Sequence, residues 1–326
     1  MLVMFTALLA ALLVAALAAA LAWGGPRDIA PLASINAPFQ KADFRSVPPP
    51  QHYTARDGVR LAWHAYPAAA AAGATAERPA GRVVLVHGSS ARAQSMHLLA
   101  QALVEKGYDV VALDMRGHGG SGPRGQAAYI GQLEDDVEDF LRAVPHAGPQ
   151  TLMGFSAGGG FALRFAGSAR QSLFDRYVLL APYLHHNAPT ERGGSGGWAS
   201  VGIPRIVALA VLTRAGITRW NDLPVLRFAL APAARSLLTP SYSYTLATNF
   251  RPHDDYRSDI RQARGPLCIL AGEEDELFHA ERYAEVFAQA GKPVPVTLLP
   301  GVNHVGLTLD RGAVQAIAAR ACGRNT

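Results

Sequence analysis

A serine lies between glycines in GFSAG, residues 154–158, directly after the apolar run 149–153. The stretch matches G-x-S-x-G, in which glycines permit a strand-to-helix turn tight enough to project the serine hydroxyl above a sheet. Free N–H groups at the start of the following helix would face the same place, so the amide of Ala157 could stabilise a developing oxyanion. The pattern predicts nucleophilic catalysis by Ser156. The alternative is a tight turn with an incidental serine.

A serine hydroxyl is a weak nucleophile that needs a base, and the base needs an orienting acid. After Ser156, only His279 and His304 lie in the final stretch of alternating strands and helices. His304 follows the last predicted strand in the loop PGVNH and is the predicted base. His279 opens a predicted helix and is expected at the surface.

Four adjacent carboxylates follow another predicted strand in AGEEDE, residues 271–276. A glycine and two spacer residues let the chain turn off the strand before presenting Asp275, which we predict to be the acid. Glu274 is the second choice. Glu274 and Glu276 are otherwise expected to be solvated neighbours.

The second oxyanion donor is expected in the loop HGSS, residues 87–90, where the N–H of Ser89 would face Ser156. His87 precedes Ser156, whereas the base of a G-x-S-x-G enzyme follows the serine and the acid in the chain, so His87 is expected to hold the loop. Asp114 and Arg116 follow the next predicted strand and are expected to pin loops rather than to catalyse.

Alternating elements separate these loops and must position them. Strands are predicted at 57–66, 82–86, 108–113, 150–154, 176–181, 266–271 and 294–299, and helices at 93–106, 128–143, 157–168, 278–290 and 311–321. An Ala/Gly/Pro-rich loop is expected at 67–81. The alternation predicts an α/β fold with a mostly parallel central sheet flanked by helices. Residues 183–262 interrupt it, show no obvious strand, and are expected to form a helical cap over the sheet.

The N-terminal stretch 1–22 carries no charged side chain. As a helix it would be roughly 33 Å long, enough to cross a hydrocarbon core. It lacks the basic start of a signal peptide and is longer than the usual apolar region. We therefore predict a transmembrane anchor at 1–23, with a cleavable signal as the alternative and the side of the membrane undetermined. A linker would then occupy 24–50 and the cap 183–262. The catalytic core would consist of two parts, 51–182 and 263–326.

Composition excludes several classes of protein. Of 326 residues, 49% are hydrophobic and 17% charged, which excludes a disordered polyelectrolyte. The net charge is +5, but the 30 Lys and Arg residues are scattered, so nucleic acid is not an expected partner. The two cysteines, Cys268 and Cys322, are too few for a zinc site or a disulfide framework.

The motifs together resemble the α/β-hydrolase superfamily, specifically its capped lysophospholipase/monoacylglycerol-lipase and serine-aminopeptidase-like branch. The resemblance covers about residues 55–326 and rests on HGSS, DMRGHGGSG, GFSAGG, AGEEDELF and PGVNHVGL, in that order. It implies a helical cap after the sixth strand, Ser156 as nucleophile, Asp275 as acid and His304 as base. It also implies that the amides of Ser89 and Ala157 form the oxyanion hole. Dehalogenase or epoxide-hydrolase chemistry would need an aspartate at position 156.

The expected function is hydrolysis of carboxylic esters through an acyl-serine, without metal or organic cofactor. Lipid-like esters are favoured because the cap is apolar and the body is held at a bilayer. A peptidase or amidase remains an alternative and would need an acid to hold a substrate amine; Glu191, Asp222, Asp254 and Asp255 are candidates. An inactive binding protein is a further alternative.

An apolar face in the cap has two interpretations. It is formed by Ile203, Ile206, Val207, Leu209, Ala210 and Leu212–Thr213. The face is either buried in the cap or lies at the bilayer surface, where Arg205 and Arg214 would meet lipid phosphates.

Overall fold

The computed structural model describes residues 2–68 and 80–321, so Cys322 and most of the loop expected at 67–81 lie outside it. In chain order the strands are β1 (Pro50–Thr54), β2 (Arg60–Tyr66), β3 (Arg82–Val86), β4 (Asp109–Leu113), β5 (Gln150–Phe155), β6 (Arg176–Leu180), β7 (Ala199–Val201), β8 (Pro224–Phe228), β9 (Ser241–Ser243), β10 (Leu267–Gly272) and β11 (Val296–Leu299). The helices are α1 (Leu2–Trp23), α2 (Ala33–Lys41), α3 (His97–Val104), α4 (Gln132–Ala143), α5 (Ala157–Ala166), α6 (Ile203–Arg214), α7 (Tyr244–Asn249), α8 (Tyr256–Gln262), α9 (Tyr283–Gln289), α10 (Gly306–Leu309) and α11 (Arg311–Ala321).

An eight-stranded sheet in the order β1-β2-β4-β3-β5-β6-β10-β11 forms the centre of the molecule. The strands from β4 to β11 in this order are parallel, whereas β1 and β2 add an antiparallel edge. Every residue of β3 is buried, as a continuous apolar run covered on both faces requires. The mostly parallel sheet is therefore as predicted, and its carboxyl edge collects the loops that carry the candidate site.

The N-terminal stretch differs from the prediction in two places. Residues 24–50, expected to be a linker without structure, contain α2 and the first residue of β1. Pro38 lies inside α2 and obscured it in the sequence, since proline usually ends a helix. Four of the five residues of β1 are exposed, so this edge strand has no apolar alternation to detect.

The insertion follows β6, as predicted, but it is not wholly helical. Strands β7, β8 and β9 form a separate antiparallel sheet within 183–262, beside α6, α7 and α8. β7 and β9 are three residues long and β8 begins with proline, so none shows a period of two over a useful length. The helical cap is thus corrected to a mixed cap.

Helix α1 is the one helix in the described residues that is long and apolar enough to be a candidate membrane span. Its 22 residues carry no charge, and it packs against α6 of the cap. Arg205 of α6 donates to the carbonyl oxygens of Leu21 (2.9 Å) and Ala22 (3.2 Å) at the end of α1. The bonds satisfy carbonyls that would otherwise lack a partner, so α1 ends in contact with the cap.

Candidate active site

Ser156 lies in a strained turn between β5 and α5. Its φ of 55° is positive, which costs energy for a residue with a side chain and is found mainly where surrounding structure imposes it. A Cβ on Gly154 would lie 2.0 Å from the carbonyl oxygen of Gly158, and one on Gly158 would lie 2.3 Å from that of His87. Only glycine permits this approach. The close backbone contact in the sharp turn therefore explains why both flanking positions of the pattern are glycine.

His304 and Asp275 meet in the interior although 29 residues separate them. Nδ1 of His304 lies 2.8 Å from Oδ2 of Asp275, and both residues are buried. Oδ1 of Asp275 accepts from the N–H groups of Leu277 and Phe278, each at 2.8 Å. Burial would raise the pKa of Asp275, but His304 and the two backbone donors lower it below its ordinary value. An ionised Asp275 accepts from Nδ1–H and leaves Nε2 able to accept a proton.

The ring of His304 packs against two aromatic side chains, and the backbone N–H of the same residue donates to an unexpected carboxylate. Its centroid lies 4.8 Å from that of Phe155 and 5.2 Å from that of Phe278. Oε2 of Glu276 accepts from the backbone N–H of His304 at 2.9 Å, so the expectation of a solvated Glu276 is wrong. Glu274 is exposed. The structure thus brings Asp275, rather than Glu274, to His304.

One of the amides expected to bind an oxyanion directly follows Ser156, and the other follows Gly88, which lies close to Ser156. Ala157 is the first residue of α5, where an N–H has no acceptor within the helix. Gly88 precedes Ser89, and a Cβ on Gly88 would lie 3.3 Å from Cβ of Ser156. Among the residues that the structure describes, neither the N–H of Ser89 nor that of Ala157 donates a hydrogen bond.

Cap residues that the sequence analysis missed hold the loop that carries Ser89. Nε1–H of Trp198 donates to Oγ of Ser89 at 2.8 Å. Ser90 has a positive φ of 66°, and its N–H donates to the hydroxyl oxygen of Tyr242 at 2.6 Å. Tyr242 lies 2.6 Å from Nε2 of His118. No sequence signal marked Tyr242 or Trp198, since Tyr242 stands in the three-residue strand β9 and Trp198 lies just before the three-residue strand β7.

Two buried, uncharged histidines form hydrogen bonds behind this loop. Nε2 of His87 accepts from the N–H of Met115 (3.2 Å), so its Nδ1–H donates to the carbonyl of Gly88 (2.8 Å). Burial lowers the pKa of His87, and it lowers that of His118 well below the usual value. Nδ1 of His118 lies 3.1 Å from the carbonyl oxygen of Arg116 and must donate to it, which leaves Nε2 to accept from Tyr242.

Asp114 and Arg116 have the loop-holding contacts expected of them. The Asp114 carboxylate accepts from the N–H groups of Ala93 (2.7 Å) and Gly120 (2.8 Å). The guanidinium of Arg116 forms two bonds of 2.7 Å to the buried carboxylate of Asp136.

A cavity of about 350 Å³ opens beside Ser156. Ser156, His304 and Ser89 line it, together with side chains from the cap and from α2. As far as residues 2–68 and 80–321 show, no aspartate or glutamate lines the cavity. The four acids considered for an amine-binding pocket therefore all lie elsewhere: Glu191, Asp222, Asp254 and Asp255. Within the described part of the chain, no cluster of three or more His, Cys, Asp or Glu could hold a metal ion.

Comparison with known proteins gives one family match and several relatives. The model of the serine aminopeptidase S33 family matches residues 77–308. A monoacylglycerol lipase of Mycolicibacterium smegmatis is 36% identical over 113 residues, which are 33% of this chain and 39% of that protein. A putative monoglyceride lipase of Schizosaccharomyces pombe is 33% identical over 123 residues, 35% of this chain and 32% of that protein. The aligned part thus spans less than half the length of either curated relative.

Solved structures identify the fold. A soluble variant of the monoglyceride lipase of Saccharomyces cerevisiae, bound to a substrate analogue, superposes with a TM-score of 0.65 at 18% identity. The superposition covers 86% of this chain and 96% of that one. The α/β-hydrolase fold implied by the sequence motifs is thereby confirmed.

Proposed function

Since the chain belongs to the serine aminopeptidase S33 family, we propose that it is a serine hydrolase that cleaves lipid-like carboxylic esters. The observation that carries the proposal is the shared cavity: Ser156 in a strained elbow and His304, which is paired with Asp275 behind it, face one apolar space. Two of the curated relatives are named as lipases of monoacylglycerol or monoglyceride, which supports the same substrate class.

In the proposed mechanism, Oγ of Ser156 attacks the ester carbonyl carbon while Nε2 of His304 takes the hydroxyl proton. The carbonyl oxygen becomes an oxyanion that accepts from the N–H groups of Ser89 and Ala157. Asp275 stabilises the imidazolium by accepting from Nδ1–H. Collapse of the tetrahedral intermediate breaks the bond to the alcohol, which leaves with the proton from His304.

Water completes the cycle. His304 removes a proton from water as its oxygen attacks the acyl carbon, and a second oxyanion forms in the same hole. Breakage of the bond to Ser156 releases the carboxylic acid, and the proton returns from His304 to Oγ. The strained backbone of Ser156 supports this role, because it holds the hydroxyl in position before substrate arrives.

The cavity favours esters over peptides with a free amino group. An aminopeptidase must balance the positive charge of its substrate, and burying an unpaired ammonium is costly. The cavity offers no carboxylate for this, and Arg92 on its wall would repel a cation. An uncharged acyl chain instead meets apolar neighbours such as Leu230, Leu237 and Leu238.

The cap surface supports delivery of substrate from a bilayer. Ile203, Val207 and Val211 recur at every fourth residue of α6 and are exposed, whereas Ala208 and Leu209 are buried on the other side. The stripe lies on the helix that packs against α1, the candidate membrane span. We propose that α1 anchors the protein and that the stripe rests in the membrane interface.

Covalent labelling tests the proposed function. A fluorophosphonate probe should label the wild-type chain, and Ser156→Ala should abolish labelling because only the nucleophilic oxygen is removed. Ser95→Ala is a matched control, since Ser95 also lines the cavity but has no place in the mechanism. Labelling that persists in Ser156→Ala would refute the assignment.

A substrate panel then separates the candidate activities. Monoacylglycerols and p-nitrophenyl esters should be hydrolysed by the wild-type chain and aminoacyl anilides should not. Faster cleavage of the anilides than of the esters would favour the peptidase. Binding of monoacylglycerol without turnover would instead indicate an inactive lipid-binding protein.

A further inference from the structure

The segment between α1 and β1 forms part of the wall of the cavity. Residues 24–46, here called the arm, contribute five lining side chains: Ile35, Asn36, Phe39, Gln40 and Phe44. The three apolar members cluster, with Ile35 only 7% exposed and the rings of Phe39 and Phe44 stacked at 6.5 Å. The arm therefore presents apolar side chains to the same space that Ser156 and His304 line.

Hydrogen bonds fix the arm to the cap along its length. Nδ2–H of Asn36 donates to the carbonyl of Ala229 (2.8 Å), and its Oδ1 accepts from the N–H of Ala231 (2.8 Å). The N–H of Leu32 donates to the same carbonyl of Ala229 at 3.0 Å. Asn36 thus uses both ends of its amide on cap backbone, which sets α2 against the cap segment facing the cavity.

Both ends of the arm are also attached. Near its start, the N–H of Arg27 donates to Oγ of Ser200 at 2.9 Å, and Asp28 pairs with Arg227 at 2.5 Å. Near its end, Oγ of Ser46 lies 3.0 Å from Nε2 of His97 on α3 of the core. The arm spans from cap to core along one side of the cavity.

We propose that the arm is a binding element for the acyl chain of the ester, with Ile35 and Phe39 determining which chain lengths the enzyme prefers. The inference rests on the proposed ester hydrolysis and assigns its acyl subsite. Apolar contact grows with every methylene that reaches the arm, so long chains gain from it. A short acyl chain held at Ser156 has fewer methylenes to place against the arm, so it should gain less from these contacts.

The test compares acyl chain lengths in the full chain. For wild type, Phe39→Ala and Ile35→Ala, kcat/KM is measured on p-nitrophenyl esters from acetate to palmitate. Each variant should lower kcat/KM for the palmitate ester about tenfold relative to wild type, since apolar contacts of this size discriminate by that order. The loss for the acetate ester should be much smaller than the loss for the palmitate ester, and fluorophosphonate labelling of Ser156 should persist.

Lys41→Ala is the matched control, because Lys41 is an exposed residue of α2 that does not line the cavity. If Phe39→Ala lowers the melting temperature, Phe39→Leu keeps an apolar side chain and should show a smaller shift in the same direction. A palmitate-to-acetate ratio equal to that of Lys41→Ala in every arm variant, with labelling intact, would overturn the proposal. Absence of both labelling and ester turnover in the wild type would refute the proposed function instead.

Discussion

At the residue scale, Tyr242 links the cap to the loop that carries the expected oxyanion donor. Its hydroxyl accepts from the N–H of Ser90 and donates to Nε2 of His118, and all three residues are buried. The hydroxyl therefore satisfies two polar groups at once. Because a donor must be held within a fraction of an ångström of the oxyanion, Tyr242 is expected to act on catalysis through position.

Tyr242→Phe should lower kcat about tenfold with little change in KM, and should destabilise the fold by roughly 1–3 kcal/mol, because the Ser90 N–H and His118 Nε2 lose their partner. Kinetics on a soluble ester and thermal melting measure the two effects. Tyr256→Phe is the control. Within the residues described, the buried hydroxyl of Tyr256 has no partner, so its removal should leave both kcat and stability unchanged or slightly raise stability.

The choice among the four acids after β10 is also tested at single residues. Asp275→Asn should reduce kcat by roughly three to four orders of magnitude, since an amide at Nδ1 of His304 favours the wrong tautomer. Glu274→Gln should have almost no effect, because Glu274 is exposed. Steady-state turnover of both variants measures the difference. A larger loss of kcat in Glu274→Gln than in Asp275→Asn would mean that the acid is misassigned.

At the scale of elements, each interpretation of the apolar face of the cap helix α6 fits one side of the helix. Leu209 and Ala208 are buried, as the buried-helix interpretation expects, whereas Ile203 is 63% and Val207 56% exposed. Arg205 bonds to the end of α1 and to the carbonyl of Pro224, so it is not free for a lipid phosphate. Leu209 is thus a poor site at which to test membrane contact.

Val207→Glu combined with Val211→Glu should reduce hydrolysis of monoacylglycerol presented in vesicles, because charges disfavour contact with the membrane interface. Turnover of soluble p-nitrophenyl acetate and the melting temperature should be unchanged. Leu209→Glu should instead lower the melting temperature strongly by placing a charge in the interior. Equal loss on vesicles and in solution would contradict a role of the stripe at the membrane.

Glu191, a carboxyl group where the cap begins, should make the stability of the fold depend on pH. Burial raises the pKa of Glu191 from 4.5 to about 7, with a further contribution from the charge of Asp275. As pH rises between these values, the unfolded chain releases a proton that the folded chain retains, so stability falls and the full cost applies above about pH 7.

Glu191→Gln removes this cost and should raise the free energy of unfolding by on the order of 1–2 kcal/mol above about pH 7, and by little below about pH 4. Thermal melts across this range measure the difference. Asp222→Asn, at an exposed position of the same cap, should leave the pH profile as in wild type. A Glu191→Gln profile parallel to wild type would contradict the raised pKa.

The elements that could be predicted are those whose signal lies within one short stretch. Buried strands such as β3 are continuous apolar runs, and α11 was expected at the residues where it forms. The elbow was visible because its glycines are required by backbone contact. Tyr242, Trp198 and α2 were not predictable, since their roles depend on partners more than a hundred residues away. Glu276 was missed because no pattern marks a bond to a backbone N–H.

At the scale of the whole molecule, the arm makes the N-terminal part of the chain a component of the hydrolase body. A fragment of residues 24–326 should keep the acyl preference of the full chain, since the arm's contacts with the cap and with α3 remain. A fragment of residues 47–326 should melt at a lower temperature and lose its preference for long chains. Melting curves and the palmitate-to-acetate ratio of the two fragments test this, and identical behaviour would contradict it.

If α1 is a membrane anchor, attachment of the arm would also determine how the body is oriented relative to it. A free linker as long as residues 24–50 would let the body wander roughly 30 Å from its anchor and tumble in every direction. Here Arg205 donates hydrogen bonds to the end of α1, and Asn36 bonds α2 to the cap. The connection between α1 and the body therefore has little freedom to move. With α1 in a bilayer, the catalytic body would keep one height and one tilt above the lipids. Its supply of substrate would then be set by lateral diffusion of lipids into a fixed footprint.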